Sequence, residues 1–400
     1  SCCGRRMNDT AAFLVDRVLP PQPIRHWVCS LPFQLRYLVG YHADLCGAIA
    51  DAFAKELIRS YQRRAKRLLA LRSRTAAKTG TVTFVQRFDS ALRLSPHMHV
   101  LCLDGVYLRA SDGSLCFHAL PEPTLAEVHD VAARTAARVE RLLRKHGRDL
   151  QEPGSGEHDA LADQEPVLSS CYRAATAGQQ LLGEQPGQPV LRVIVQPRNP
   201  GTRQEKLVAE VHGFNVHAER LVDGRDRPQL ERLCRYLARP PLSNERLQIR
   251  PDGRLRLELK TPWSDGTAAI LLAPLDLISR LCALVPPPRF NLTRFHGVFA
   301  PAAKLRSEIV PQSPQQEPSA PVQLPLFGSG DSSRSHSIHD KQRRHADSRH
   351  PWAWLMKRVF DQQTNCSRRS AGDRPGPDHA SLPSSMRSRD RVRRKTTALG

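Results

Sequence analysis

Four hundred residues exceed one ordinary domain, so the length admits two or three folding units. The formal net charge is +21 and the isoelectric point about 10.2, which points to a polyanionic partner, nucleic acid before an anionic membrane surface. No apolar run reaches the ~18 residues of a spanning helix; the longest, Ala268 to Ile278, is broken by Pro274 and Asp276, and no signal peptide opens the chain. The expectation is a soluble protein of the cytoplasm. Ten cysteines are scattered without a CxxC pair, which excludes a disulfide framework and a zinc ribbon.

In chain order, Asn8 or Asp9 can cap a helix through Ala11 to Val18, stopped by Pro20-Pro21. Leu45, Ile49, Phe53, Leu57 and Tyr61 recur about four apart and predict a long helix from Asp44 to about Ala77. Its end is basic, with Arg63, Arg64, Lys66, Arg67, Arg72, Arg74 and Lys78 as either a solvated face or a phosphate contact. Thr81 to Phe88 is β-branched and aromatic, hence a strand, and a second strand follows through Pro96 to Leu103. Asp104-Gly105 reads as a hairpin turn into Val106-Tyr107-Leu108. Thr124 to His146 predicts a helix with Val128, Val131, Ala132, Val139 and Leu142 inward, and Gly147 to Gln164 an exposed loop. Val190 to Val195 and Leu207 to His217 read as strands, Gln229 to Ala238 as a helix, and Arg246 to Lys260 as a hairpin across Pro251-Asp252-Gly253. From Pro311 the chain is rich in Pro, Gln, Ser, Arg and His and reads as a disordered basic tail, with one short helix near 352–360 built on Trp352, Trp354 and Phe360.

The chemistry-bearing feature is Pro96-His97-Met98-His99-Val100. Strand side chains alternate faces, so His97 and His99 share one face and Met98, Val100 and Cys102 the other. Two neutral imidazoles on rigid backbone make half a metal site, though spacing alone also fits two structural histidines. Tyr236 lies on the predicted helix in Cys234-Arg235-Tyr236-Leu237-Ala238-Arg239, with Arg239 one turn on. A tyrosine near its free pKa of ~10 is a poor nucleophile, and a neighbouring cation can assist it and hold a phosphate. The plainer reading of Tyr236 is a half-buried aromatic with a surface hydroxyl.

Histidine–hydrophobic–histidine followed by a helical tyrosine resembles the HUH endonucleases. Four stretches in order resemble their rolling-circle insertion-sequence transposases, the IS-ninety-one and ISCR group: Trp27 to Phe33; Phe84 to Phe88 through His97 and His99 to Tyr107; Gly213 to Ala218 through Cys234 to Pro240; and Arg294 to Pro301. The likeness spans about residues 2–310, with a trace at Trp354 to Phe360. It implies an α+β fold with a ferredoxin-like antiparallel palm, helices on one face and flanking helices that grip DNA. It implies that His97 and His99 bind a divalent metal, Mg²⁺ or Mn²⁺, and that Tyr236 attacks phosphorus, assisted by Arg239, leaving a 5′-phosphotyrosine and a free 3′-hydroxyl. A third ligand is expected. Gln86, on the preceding strand, is the first choice and His217 the reserve, while Asp104 is more simply a turn residue.

The likeness has gaps. Members open with a cysteine-rich zinc segment just before Arg5-Arg6-Met7, and here only Cys2 and Cys3 stand in that place. A second cysteine pair often follows the segment resembling Trp354 to Phe360, and here Cys366 stands alone. Position 240, four after Tyr236, is Pro240 rather than a second tyrosine, which is similar to the single-tyrosine subgroup. The expected organisation is a zinc-segment remnant at 1–10, a helical DNA-binding region at 11–79, the catalytic domain at 80–260, a helical part at 261–310 and the tail at 311–400. The expected partner is single-stranded DNA at element ends in a bacterial cytosol or nucleoid. Rival readings are a plasmid replication initiator or relaxase, a non-enzymatic DNA-binding protein, and an inactive transposase remnant. No Walker GxxxxGK[ST] motif occurs, which argues against the larger helicase-bearing initiators.

Overall fold

The computed structural model describes residues 2–148, 159–195, 207–288, 290–311, Trp354, Leu355 and Arg358. The chain divides into two units at residues 352 and 353. In the second, Trp354, Leu355 and Arg358 are helical, as expected near 352–360, and the Arg358 guanidinium lies 4.9 Å from the Trp354 ring. The rest of the tail from residue 312 lies outside the described residues.

The first unit is α+β and centred on a six-stranded antiparallel sheet. In chain order it begins with helix α1 (Cys2–Arg17), strand β1 (Ile24–Ser30) and helices α2 (Phe33–Tyr41) and α3 (Ala43–Leu68). Strands β2 (Gly80–Phe88), β3 (Leu94–Leu103), β4 (Gly105–Arg109) and β5 (Leu115–Ala119) follow, then helices α4 (Leu125–Lys145), α5 (Ala160–Gln164) and α6 (Pro166–Ala177). Next come β6 (Leu191–Ile194), β7 (Val208–Val211), β8 (Phe214–Val222), α7 (Arg227–Leu237), β9 (Leu247–Ile249), β10 (Leu255–Glu258), β11 (Thr267–Leu272), α8 (Pro274–Leu284), β12 (Thr293–Gly297) and α9 (Arg306–Ile309). The main sheet runs β12-β2-β3-β1-β8-β7; a second sheet runs β6-β11-β10-β9, and β4 pairs with β5.

Strand alternation splits the main sheet into two faces. Trp27, Cys29, Val85, Met98, Val100, Cys102, Val216 and Ala218 point to one side and form a core with the buried faces of α3 and α4. On the other side, Ile24, Val82, Phe84, Leu101, Leu103 and Val222 pack with Leu14 and Val15 of α1 and Leu230, Leu233 and Leu237 of α7. Helices therefore cover both faces rather than the one expected, because both faces carry enough apolar side chains to need covering. A third cluster joins Leu94 and Tyr172 to the second sheet and α8.

Several elements differ from the sequence expectation. Helix α1 starts at Cys2, well before Asn8. Its first turns are too polar to show periodicity, while Ala11, Leu14 and Val15 anchor the helix in the core. The side chains of Cys2 and Cys3, on which the zinc-segment remnant rests, lie outside the described ones. Helix α3 ends at Leu68, near Ala70 in the left-handed region, rather than at Ala77. Much of its basic end is spent on α4: Arg63 pairs with Asp130, and Arg64 and Arg67 both pair with Glu127. The region expected as helical at 11–79 contributes β1, a central strand, and the region expected as helical at 261–310 contributes the edge strand β12. Within Gly147 to Gln164, the C-terminal end is helical as α5.

Asp104-Gly105 is not a hairpin turn, because β3 pairs with β1 and β2 while β4 pairs with β5. The Asp104 carboxylate, 3% exposed, instead accepts from the Arg25 Nη2 at 2.9 Å and Nε at 3.0 Å, and from the Tyr61 hydroxyl at 2.8 Å. Asp104→Ala leaves the buried Arg25 cation without its close counter-ion, since the other partner, Glu122, is largely solvated. We expect a loss of about 3–5 kcal/mol, read as a lower urea midpoint; an unchanged midpoint would show that this pair does not anchor β3 to β1.

Candidate active site

The polar end of the sheet face covered by α1 and α7 carries the candidate chemistry. In register, His97 lies opposite Ser30 and Gln86, and His99 opposite Val28 and Phe84. Directly paired residues share a face, so His97, His99 and Gln86 come together as expected. The imidazoles converge: His97 Nε2 lies 3.1 Å from His99 Nε2. His97 Nδ1 lies 2.8 Å from the Ser95 carbonyl, and His99 Nδ1 lies 3.0 Å from His26 Nε2. His26 comes from β1, and its ring stacks on His99 with centroids 5.1 Å apart.

Tyr236 enters from α7, whose N-terminus is capped by Asp226 through Gln229 N and whose apolar side, Leu230, Leu233, Cys234 and Leu237, is buried. That burial fixes the rotation of the helix and leaves Tyr236, 37% exposed, at the histidine end. Its ring meets His99 edge-on with centroids 6.1 Å apart. Gln86 ties the helix end down: its Nε2 donates to the Leu237 carbonyl at 2.9 Å and to the Tyr236 carbonyl at 3.3 Å. Because both partners are acceptors, the amide nitrogen must face them, which leaves Gln86 Oε1 buried and without a hydrogen-bond partner.

Two cations flank the tyrosine. The Arg239 guanidinium lies 4.4 Å and the Lys260 ammonium 4.0 Å from the ring centroid. Arg239 sits just past the end of α7 and lines two adjoining clefts, one of about 260 Å³ with Gln86 and Arg6, and one of about 420 Å³ with Arg246 and Lys260. The reserve residue His217 lies across β1 from the histidine pair, opposite Val28, and contributes to the field on His26 instead. Sequence reading missed His26 and Lys260. Neither stands in a spacing pattern, and only the pairing of β1 with β3 and the end of β10 bring them in.

Burial lowers the pKa of all three histidines. His99 is held well below the ordinary value by desolvation and then by His97 and His26, His97 is lowered chiefly by desolvation, and His26 falls to about 4 by desolvation with help from Arg220 and His217. They are therefore neutral near pH 7, with lone pairs available to a metal. Among the described residues, no group of three or more His, Cys, Asp or Glu side chains could hold a metal. The groups near this point with free lone pairs are the two histidine rings and, on β2, the unpartnered amide oxygen of Gln86.

Lys260 is lowered to about 8 by desolvation and by the Arg239 and Arg246 charges. Its folded pKa lies below the unfolded one, so the folded state binds fewer protons between about pH 8 and 10.5 and wild-type stability rises across that window. Lys260→Met removes this repulsion. At pH 7 the variant is expected to melt no lower than wild type, with the difference shrinking above pH 8. Melting curves at pH 7, 8, 9 and 10 check this; a constant offset would contradict it.

The chain matches the family model described as "Putative transposase" over residues 80–307, more than half of its length, and it belongs to that transposase family. The match runs from β2 into α9 and takes in Gln86, His97, His99, Tyr236, Arg239 and Lys260. No curated protein and no solved structure matches the chain. A transposase acts on DNA, consistent with the strongly basic composition. Among the described residues no helix is long and apolar enough to cross a membrane.

Proposed function

We propose that the protein nicks and transfers single-stranded DNA as a rolling-circle transposase of the IS-ninety-one and ISCR type, with Tyr236 as nucleophile. The observation that carries this reading is the placement of an exposed tyrosine against His99, between two cations and beside a converged histidine pair. The Tyr236 oxygen attacks phosphorus, the bond from phosphorus to the 3′ oxygen breaks, and the phenolic proton ends on that oxygen. The products are a 5′-phosphotyrosine and a free 3′-hydroxyl, and the covalent link retains the phosphodiester energy for strand transfer.

The donor set fits a divalent cation, Mg²⁺ or Mn²⁺: two neutral imidazoles with nitrogens 3.1 Å apart, and a buried amide oxygen without a partner. When bound, such a cation polarises the scissile phosphate and offsets its charge. The chain's own residues do the rest. Gln86 holds the end of α7 and so orients Tyr236, while Arg239 and Lys260 present positive charge to a phosphate at the ring.

A strand must enter the site as a single strand. We therefore expect cleavage of labelled single-stranded or hairpin DNA bearing the element end and none of the same sequence as relaxed duplex. Binding should weaken steeply with salt as counterions compete for the phosphates. Equal cleavage of both substrates would overturn the reading, and salt-sensitive binding without cleavage under any divalent metal would favour a non-enzymatic DNA-binding protein or an inactive remnant.

A further inference from the structure

We propose that His26 is a positioning residue for the metal pair: by accepting the Nδ1 proton of His99 it turns the His99 Nε2 lone pair toward His97. This rests on the reading of His97 and His99 as metal ligands. His26 lies outside the family match at 80–307 and is not itself a candidate ligand, since its Nε2 faces the other nitrogen of His99.

The argument is a proton count along a chain of hydrogen bonds. The Ser95 carbonyl can only accept, so the proton of neutral His97 sits on Nδ1 and its Nε2 is a lone pair. His99 also carries one proton. With no cation, His99 Nε2–H donates to His97 Nε2 while His99 Nδ1 accepts from His26 Nε2–H, and every atom in the row is paired. Both Nε2 lone pairs must be free for a cation. His99 then carries its proton on Nδ1 and donates to His26 Nε2, and the His26 proton moves to its own Nδ1. The number of protons is the same in the two arrangements, so the cation is taken up by a change of tautomer rather than by loss of a proton. Without an acceptor at position 26, the buried His99 N–H of the second arrangement has no partner.

The test measures Mn²⁺ binding by calorimetry with no DNA present. Wild type is expected to bind with close to zero net proton release, shown by equal heats at pH 7 in buffers of different ionisation enthalpy. His26→Phe keeps a ring stacked on His99 and removes the acceptor; its Mn²⁺ affinity is expected to fall about ten- to a hundred-fold with little change in melting temperature. His26→Gln restores an acceptor oxygen and is expected to recover most of the loss. Histidine-selective nitrogen NMR of the Mg²⁺-loaded wild type should show His99 protonated at Nδ1. If His26→Phe binds Mn²⁺ as wild type does, the role of His26 is wrong and the metal reading stands; if loaded His99 carries its proton on Nε2, that nitrogen is not a ligand and both fall. If wild type itself binds neither cation, both fall.

Discussion

His97→Ala and His99→Ala are each expected to abolish the proposed metal-dependent nicking while the chain stays folded. The two nitrogens stand 3.1 Å apart, and either variant leaves a single imidazole to hold the cation. On the proposed mechanism several kcal/mol of charge stabilisation at the phosphate would be lost, which at tenfold per ~1.4 kcal/mol is about a thousand-fold or more in rate. His97 is only partly buried, so its removal should disturb packing least. His99 stacks on His26 and deserves a parallel melting curve. Cleavage rates at several Mn²⁺ concentrations are the readout. Normal cutting by both variants at low Mn²⁺ would remove the histidine pair from the mechanism.

Tyr236→Phe removes one oxygen and leaves the ring against His99, Arg239 and Lys260, so binding of DNA and Mn²⁺ is expected to be retained and the proposed covalent adduct lost entirely. Arg239→Ala is milder. It removes a cation 4.4 Å from the ring but no reacting atom, so adduct is expected to form slowly and incompletely. All six tyrosines lie among the described residues, and the geometry discriminates among them. Tyr107 is packed on Phe117, Tyr172 is buried beneath the Arg87 guanidinium, and Tyr61 is bound to Asp104. Tyr236 is the exposed one, and it alone touches the histidine pair.

What was legible in the sequence was local. The period of a strand places His97 and His99 on one face, and the helix expected from Thr124 to His146 is α4, which the structure caps through Thr124 and Glu127. The helix expected at Gln229 to Ala238 is α7, and burial of Leu230, Leu233 and Leu237 leaves Tyr236 outward. Gln86 follows from a local hairpin of β2 and β3, whose register sets it opposite His97. What was not legible depends on pairing between distant segments. His26 meets His99 because β1 lies beside β3 across more than seventy residues of chain, and no local pattern encodes that. The same holds for β12, a short strand with little alternation that closes the sheet edge against β2. Asp104-Gly105 carries a strong turn signature, but the Arg25 cation brought in by β1 holds the carboxylate in the interior and the chain runs on into β4. The basic end of α3 likewise resembles a phosphate-binding face until α4 arrives with Asp130 and Glu127.

The most direct measurement is the identity of the residue that becomes covalently attached to DNA. Full-length protein is incubated with Mn²⁺ and single-stranded DNA bearing the element end, digested with nuclease and protease, and mapped by mass spectrometry. The account predicts a nucleotide phosphate on the peptide containing Tyr236, absent when Mn²⁺ is withheld. A phosphate mapped to Tyr107, Tyr172 or any other residue, or strand cleavage with no protein–DNA adduct at all, would contradict it.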